Sequence, residues 1–594
     1  MKWIHVLSNF KGRKKMFRLT RFLKGYMAKT VMGPLFKLIE AVFELITPLV
    51  VAWMIDTAIP RGLEGDYSGL RTGGAIILAL GILGLAFALT AQFFASRASL
   101  GFGTNLRRDL YAHINTFSYT ELDKFSTTSL ITRITADVNQ AQQAVAMFIR
   151  LVLRSPFIII GAIVMSMLID LRLSLIFVAA SLIIGASLWL IMSLSMPKYK
   201  GVQAKLDDVT RLTRENLSGA RVVRAFGAEE RECERFDRAS EALSHSSIRV
   251  GALSALLNPL TYAVLNLAVI AILWFGGKTV YYGDLTQGEI IALVNYMTQI
   301  LNAMIVFANL LVTFTKASAS AARINEVFDT KTSMEEGAGA TPDLTAPAIE
   351  LRNLTFTYSG SPAPSITDIS LTLRRGESLG ILGGTGSGKS TAVSLMTRLY
   401  DATGGEVRVF GHNVKEYTGA DLAEIFGVAP QRALLFEGTI RDNMKWGKPD
   451  ATDEDIYRAL DISQAREFVD KSALGLDTYI EQEGKNLSGG QRQRLTIARA
   501  VVASPKILIL DDSSSALDFA TDAKLRHALA DLRRDSSLTT VTVSQRATSL
   551  RYCDMIMVLD GGRVAGLGTH EYLAESCEIY REICDSQNRG DEAK

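Results

Sequence analysis

A membrane α-helical bundle of six spans with long cytoplasmic extensions, followed by a soluble α/β domain, is the fold class this sequence predicts, and three observations predict it. The 594 residues are 48% hydrophobic, but the apolar ones crowd before about residue 315 and thin to an ordinary globular mixture after about 348. Six stretches in the first part are each apolar enough to cross a bilayer, which takes about 20 residues of helix. In the second part, short apolar runs such as 379–382 and 507–510 are followed by glycine-rich or acidic turns, the pattern of buried parallel strands alternating with helices.

The opening segment, "MKWIHVLSNFKGRKKMFRLTRFLKGYMAKT", is basic, and no acid precedes Glu40. It reads as an interfacial amphipathic helix on an anionic cytoplasmic leaflet, the alternative being a solvated tail. No short apolar region followed by a small-residue cleavage site opens the chain, so no cleavable signal is expected. The spans fall near 31–59, 73–96, 145–169, 172–195, 252–276 and 289–315. Loops after spans one, three and five are short. Those after spans two and four are long, rich in Arg and Lys, and helical in pattern, which puts them and the N-terminus in the cytoplasm. Residues 1–329 thus form the transmembrane domain. Cys233, Cys553, Cys577 and Cys584 lack metal spacing and fall on the cytoplasmic side, so reduced thiols without a structural role are expected.

Several spans hold residues that lipid rejects: Lys37, Glu40 and Glu44 in span one, Arg150 and Arg154 in span three, and Asn295, Gln299, Asn302 and Asn309 on one face of span six. Two readings stand for the charges, an interhelical ion pair such as Glu40 with Arg150, or a substrate-facing role. For Asn295, Gln299 and Asn302 a cavity lining is favoured, because aligned amides exceed what packing needs. Residues 330–347, "TKTSMEEGAGATPDLTAP", lack apolar periodicity and read as a linker.

Residues 348–585 carry the nucleotide chemistry, and 586–594 a polar tail. Gly383-Gly384-Thr385-Gly386-Ser387-Gly388-Lys389-Ser390 matches G-x-x-x-x-G-K-[ST], preceded by an apolar strand and followed from Thr391 by a helical pattern. Glycines let backbone N–H groups turn toward phosphate oxygens, Lys389 adds charge, and the Ser390 hydroxyl can ligate Mg²⁺. The soluble part is therefore an α/β P-loop nucleotide-binding domain. "KILILDDSSSALD" adds a buried strand with Asp511 at its C-terminal end, placed to hold the Mg²⁺ shell. "NLSGGQRQRLTIARA" sets Ser488, Gly489, Gly490 and Gln491 at the start of a basic helix, a second anion cradle.

Phosphate loop, "LSGGQ" and apolar strand with Asp, in that order after six spans, resemble the ATP-binding cassette (ABC) transporters, over essentially the whole chain. One membrane domain fused ahead of one cassette looks like a half-transporter of the exporter type. The resemblance implies that two cassettes dimerise head to tail, with each ATP between the phosphate loop of one and the "LSGGQ" of the other. It makes Tyr358 in "LTFTYSG" the aromatic that stacks on adenine, although the residue alone reads equally as strand core. It makes Gln431 the glutamine that reaches Mg²⁺, and "SALD", ending at Asp518, the loop that crosses to the other cassette. "TELDKFSTTSLITRITADV" and "RVVRAFGAEERE" resemble the segments with the two coupling helices that dock on the cassettes.

The chain departs from the family at three places. The catalytic glutamate is Asp512, the switch histidine, which contacts the terminal phosphate, is Gln545, and "GERG" is Glu481-Gln482-Glu483-Gly484. Asp512 is shorter by one bond, about 1.5 Å, and displacements of about 1 Å can cost two orders of magnitude. Gln545 can donate a hydrogen bond but cannot take a proton. Slow hydrolysis at this chain's own site is therefore expected, beside an intact signature. That asymmetry resembles the degenerate-site chain of heterodimeric bacterial multidrug exporters. It implies a related partner chain with consensus Glu and His, amphipathic small-molecule substrates, ATP with Mg²⁺, and a bacterial cytoplasmic membrane. The alternatives are a slow homodimeric lipid or peptide exporter, a siderophore-type importer, and an ATP-gated channel. The six spans exclude a soluble DNA-associated cassette protein, and no nucleic-acid partner is expected.

Overall fold

The computed structural model describes residues 16–513 and 515–592. The chain divides into two compact units, one formed by the residues up to 115 with 128–330, the other by residues 116–127 with those from 331 onward.

Among the described residues of the first unit six helices are long and apolar enough to cross a membrane: α1 (Met27–Leu63), α2 (Ser68–Ile114), α3 (Thr127–Ile169), α4 (Leu171–Ser218), α5 (Glu229–Tyr281) and α6 (Gln287–Asp329). The longest has 53 residues, about 80 Å at 1.5 Å per residue, far more than a bilayer's hydrocarbon of about 30 Å. The surplus extends beyond the membrane. Leu78, Ile82, Leu85 and Leu89 line one face of α2 and are exposed, as residues in contact with lipid acyl chains are. Short connections close the other ends. Asp170 alone joins α3 to α4, and its carboxylate accepts from Leu173 N at 2.7 Å to cap α4.

Local irregularities have sequence causes. A turn at Val152 and Leu153 breaks α3 just before Pro156, which lacks the N–H that an unbroken helix needs. A π-helical turn over Met54–Ala58 near the end of α1 accompanies a contact with the start of α6. There Asp56 accepts from the Thr286 hydroxyl (2.6 Å) and Gly288 N (2.8 Å). Gly288 is required by that approach: a Cβ there would lie 2.3 Å from the Ala52 carbonyl oxygen. Another π turn, Arg133–Asp137, ties α3 to α6, with Arg323 paired to buried Asp137 and Arg133 donating to the Arg323 carbonyl at 2.8 Å.

Three expectations change here. Glu40 pairs not with Arg150 but with Lys37 one turn away (2.5 Å). Arg154, not Arg150, bridges helices to Glu44 (2.6 Å), and Arg150 donates to Gln92 (2.8 Å). The two carboxylates are thus each matched by a cation, which favours ion pairing over a substrate-facing role for Glu40 and Glu44. On α6, Asn295, Asn302 and Asn309 are exposed along one face, but Gln299, at the edge of that face, donates to the Glu44 carbonyl at 3.2 Å. Of the basic N-terminal segment, residues 1–15 lie outside the described residues. The part that follows packs on protein rather than lipid: Leu19, Phe22 and Leu23 are buried, Phe22 stacks on Phe328 (5.5 Å), and Arg18 pairs with Asp329 (2.5 Å).

The second unit is built on two main sheets. An antiparallel sheet, in the order β2-β1-β4-β5, joins β1 (Ile349–Phe356), β2 (Ile366–Leu373), β4 (Gly404–Val409) and the short β5 (His412–Asn413). The central sheet, in the order β12-β11-β3-β10-β9-β6, contains β3 (Ser378–Gly383), β6 (Phe426–Ala429), β9 (Ile507–Asp511), β10 (Thr539–Ser544), β11 (Met555–Asp560) and β12 (Arg563–Gly568). The pair β7 (Gly438–Thr439) and β8 (Tyr479–Ile480) stands apart. In the central sheet all neighbours are parallel except β11 with β12. Ligands in such sheets gather at the C-terminal strand ends, where β3 meets the phosphate loop and β9 ends in Asp511.

Residues 331–348 form no helix or strand, yet they are not a free tether. Gly339 N donates to the Glu416 carbonyl (3.0 Å) and Asp343 N to that of Phe410 (3.1 Å), and a Cβ on Gly337 would meet Glu416 backbone at 2.4 Å. Cys577 is buried with Leu382, Leu550 and Tyr580, and Cys553 packs against the same cluster. Cys584 packs there too, so these three thiols do have a structural role, as small apolar core residues. The short helix Tyr119–Phe125, capped reciprocally by Ser118 and Glu121, belongs to this unit. The Tyr400 hydroxyl donates to Asp123 at 2.6 Å, and the Tyr119 and Tyr400 rings lie 5.9 Å apart. In the other long loop, the helix Ala220–Ala225 buries no residue, and Phe226 after it is 81% exposed.

Candidate functional site

β3 is buried along its whole length and ends at Gly383; the chain then turns through Gly384–Gly388 into α7 (Lys389–Met396). Gly386 (φ +82°) and Gly388 (φ +99°) occupy the left-handed region, open to glycine at no steric cost. A Cβ at Gly388 would also lie 2.6 Å from the Ile366 side chain, whereas Gly384 and Gly386 border open space. Thr385 is exposed at the tip. The Ser387 hydroxyl is buried with no hydrogen-bond partner, an orphaned polar group that a phosphate oxygen would satisfy. Lys389 Nζ donates to the Gly383 (2.9 Å) and Gly384 (2.7 Å) carbonyls. Burial holds its pKa below the ordinary lysine value, against the opposing charges of Asp512 and Asp511. An open groove of about 570 Å³ runs along the loop, lined among others by Ser361, Pro364, Lys389, Ser390 and Gly562.

Opposite the loop, β9 brings up two carboxylates. The Asp511 pKa is raised by burial first and by the Asp512 charge second, while Ser390 and Lys389 pull it back. Two hard oxygen donors side by side suit Mg²⁺, which keeps most of its waters and takes few protein ligands. Asp512 follows with φ +46° and donates its N–H to the Val543 carbonyl at 3.0 Å. Its side chain receives the Gln431 amide (3.4 Å), and Gln545 lies close enough to lower its pKa. Gln431, expected at the metal, is thus found on Asp512. Burial pushes the Asp512 pKa up, while Lys389 and Arg546 pull it back.

This buried acid pair has a consequence for stability. The folded-state pKa values of Asp511 and Asp512 lie above the ordinary carboxylate value, so the folded form is favoured by protonation and loses stability as pH rises through them. Asp512→Asn removes one charge permanently. It should raise the melting temperature of the ATP-free protein at pH 7–8 by a few degrees, and the gain should vanish as pH falls through the carboxylate range. Differential scanning calorimetry against pH checks both; a constant gain at every pH would contradict the assignment.

Tyr358 follows β1 and is half-buried. Its hydroxyl lies 3.2 Å from that of Thr391 on α7, and its ring meets Phe356 (4.8 Å) and Tyr400 (5.4 Å) edge to face. One edge is therefore core, and the hydroxyl is held beside the phosphate loop. Ser488 caps α8 (Gly489–Val502): its hydroxyl accepts from Gln491 N (3.2 Å), and its own N–H donates to the Gln491 side chain (2.9 Å). Gly489 borders open space, and a Cβ at Gly490 would lie 3.2 Å from the Ala516 carbonyl. Asp518 caps α9 (Phe519–Ser536) through Thr521 N at 2.9 Å, and that bond lowers its pKa. Within this single chain, Ser488–Gln491 do not line the phosphate-loop groove.

Two groups escaped the sequence reading. Arg546 lies over the Phe519 ring at 5.3 Å and offsets the charge of Asp512; only its place next to Gln545 hints at this. Gln587, on the C-terminal helix, reaches the same loop.

Comparison with known proteins agrees with this geometry. Residues 30–304 match the ABC transporter transmembrane region and residues 366–515 the ABC transporter family. An uncharacterized ABC transporter ATP-binding protein of Mycobacterium tuberculosis is 37% identical over 576 residues, 96% of this chain and 98% of its own length. A multidrug efflux ATP-binding/permease protein of the same organism is 31% identical over 568 residues, 96% of this chain but 47% of that protein. A bacterial Atm1-family ABC exporter solved with ATP bound is 22% identical, with a TM-score of 0.76 over 96% of this chain and 98% of that one.

Proposed function

This chain belongs to the ABC transporter family, as a multi-pass membrane protein whose ATPase is coupled to transport, and on that premise we propose that it is one half of a heterodimeric exporter of amphipathic small molecules in a bacterial cell membrane. The observation that carries the proposal is the contrast between its two cradles. The signature Ser488–Gln491 is intact and well capped, while the position of the general base is Asp512, engaged by Gln431 and Gln545.

Lys389, the loop N–H groups and the Ser387 hydroxyl bind the phosphates of ATP. Ser390 and Asp511 would hold Mg²⁺, which would supply charge neutralisation to the terminal phosphates. A general base needs hydrogen-bond reach of its water; Asp512 is one bond short and is already bonded to the Gln431 amide. This chain's site therefore binds ATP and turns it over slowly, while its α8 N-terminus completes a fast site on the partner. The exposed amides Asn295 and Asn302 face the substrate path, since polar groups at membrane depth line wet cavities. Membrane lipid surrounds the spans. The multidrug relative supports drug-like substrates.

The test is gentle purification of the tagged chain from its native membrane with mass spectrometry of what accompanies it. An equal amount of a related chain, carrying Glu and His at the positions of Asp512 and Gln545, supports the proposal; this chain alone overturns it. For the cavity, Asn302→Leu should cut transport of a fluorescent cationic or neutral amphiphile severalfold and leave ATP photolabelling unchanged. Unaltered transport would remove α6 from the substrate path.

A further inference from the structure

The C-terminal helix α10 (Glu578–Glu592) packs as an apolar stripe: Tyr580 is fully buried, and Ile583 and Cys584 lean on the cluster of Leu382, Ala547, Leu550 and Val558. Positions 580, 583–584 and 587 follow one another at helical spacing on one face. A fourth apolar residue would extend that stripe, but the position holds Gln587. Its amide makes two hydrogen bonds to the loop after β10, donating to the Gln545 carbonyl (2.8 Å) and accepting from Ala547 N (2.9 Å). The clamp closes over Arg546 from both sides. Two residues before Gln545, the Val543 carbonyl accepts from Asp512 N (3.0 Å), so the loop starts beside the acid pair. Three links thus join the far end of the chain to the acid pair: α10, the Gln587 amide and the loop.

We propose that Gln587 is a positioning residue for the loop carrying Gln545, so that α10 sets how well this chain's site distinguishes ATP from ADP. A loop held by backbone hydrogen bonds presents Gln545 to the terminal phosphate at little entropic cost, whereas a loose loop spends binding energy on ordering itself. ADP lacks the group that Gln545 meets, so its affinity is indifferent to the clamp. This rests on the reading that Gln545 faces the terminal phosphate. It does not depend on whether the site hydrolyses quickly or slowly.

The experiment uses the transporter in native membranes, with ATP and ADP competing against 8-azido-ATP for photolabelling of this chain, together with hydrogen exchange of the loop in the purified protein. Gln587→Met keeps the side-chain volume and removes both hydrogen bonds. Gln587→Glu keeps an acceptor for Ala547 N but cannot donate to the Gln545 carbonyl. In the Met variant the Ala547 amide should lose protection by about tenfold, and the preference for ATP over ADP should fall about fivefold, the scale of one or two hydrogen bonds. ADP affinity should not change. In the Glu variant the Ala547 protection should persist while the preference falls. Equal losses for ATP and ADP would indicate general unfolding and overturn the proposal. Gln545→Ala separates the two layers: if it lowers the preference and Gln587→Met does not, the clamp is wrong; if Gln545→Ala has no effect, the reading of the loop is wrong and the clamp falls with it.

Discussion

Ser488→Arg in this chain should lower substrate-stimulated ATPase of the assembled transporter by about a hundredfold or more, the cost of removing a transition-state anion donor. Lys389→Ala in the same chain should leave a substantial fraction. The first change destroys the N-terminal cradle of α8, whose free N–H groups and dipole serve the partner's ATP in the proposed heterodimer. Its bulk also fills the space that Gly489 leaves open. The second disables only the phosphate loop of this chain, at which the proposed function assigns slow turnover to Asp512 and Gln545. Steady-state ATPase of the two variants, each paired with unaltered partner, decides the matter. If Lys389→Ala is as damaging as Ser488→Arg, the two sites are equivalent and the functional asymmetry is absent.

Asp512→Glu combined with Gln545→His should raise single-turnover hydrolysis of the ATP held by this chain by about two orders of magnitude, the penalty attached to a misplacement of about 1 Å. Asp512→Glu alone should recover less. The longer carboxylate regains reach, but the Gln431 amide continues to occupy one oxygen, whereas an imidazole at 545 adds a group that can take a proton. Radiolabelled ATP bound before a chase, with phosphate release followed on the isolated complex, measures this step without contribution from the partner. No acceleration in the double variant would mean that side-chain reach does not limit this site.

The membrane part was legible because the bilayer imposes length and polarity together. Each of the six expected stretches lies inside one of the six long helices, and the surplus length at their cytoplasmic ends was written in the basic, helix-patterned loops. Strand β3, the phosphate loop and β9 were equally clear, since buried parallel strands show as continuous apolar runs. Pairings of long side chains were not legible. Glu40 has Lys37 one turn away and Arg150 on another helix as conceivable partners, and helix rotation chooses between them. The N-terminal segment showed an apolar face without showing what covers it; Phe328 and the end of α6, three hundred residues later, take the place assigned to lipid. Gln431 and Gln545 were found as positions, but their meeting on Asp512 depends on where two separate loops return to the sheet, which no local pattern records.

The helix Tyr119–Phe125 lies between α2 and α3 in the chain yet packs with the ATP-binding domain, covering Tyr400 and engaging its hydroxyl through Asp123. The boundary suggested by the linker therefore does not cut the protein into its natural pieces. A soluble fragment begun at residue 331 retains every group that handles phosphate but sheds the cover over Tyr400, whose ring meets those of Tyr358 and Phe356. Ligand screening on such a fragment would sample an aromatic surface that the intact protein keeps covered. Hits that lodge there would be lost on the full-length transporter.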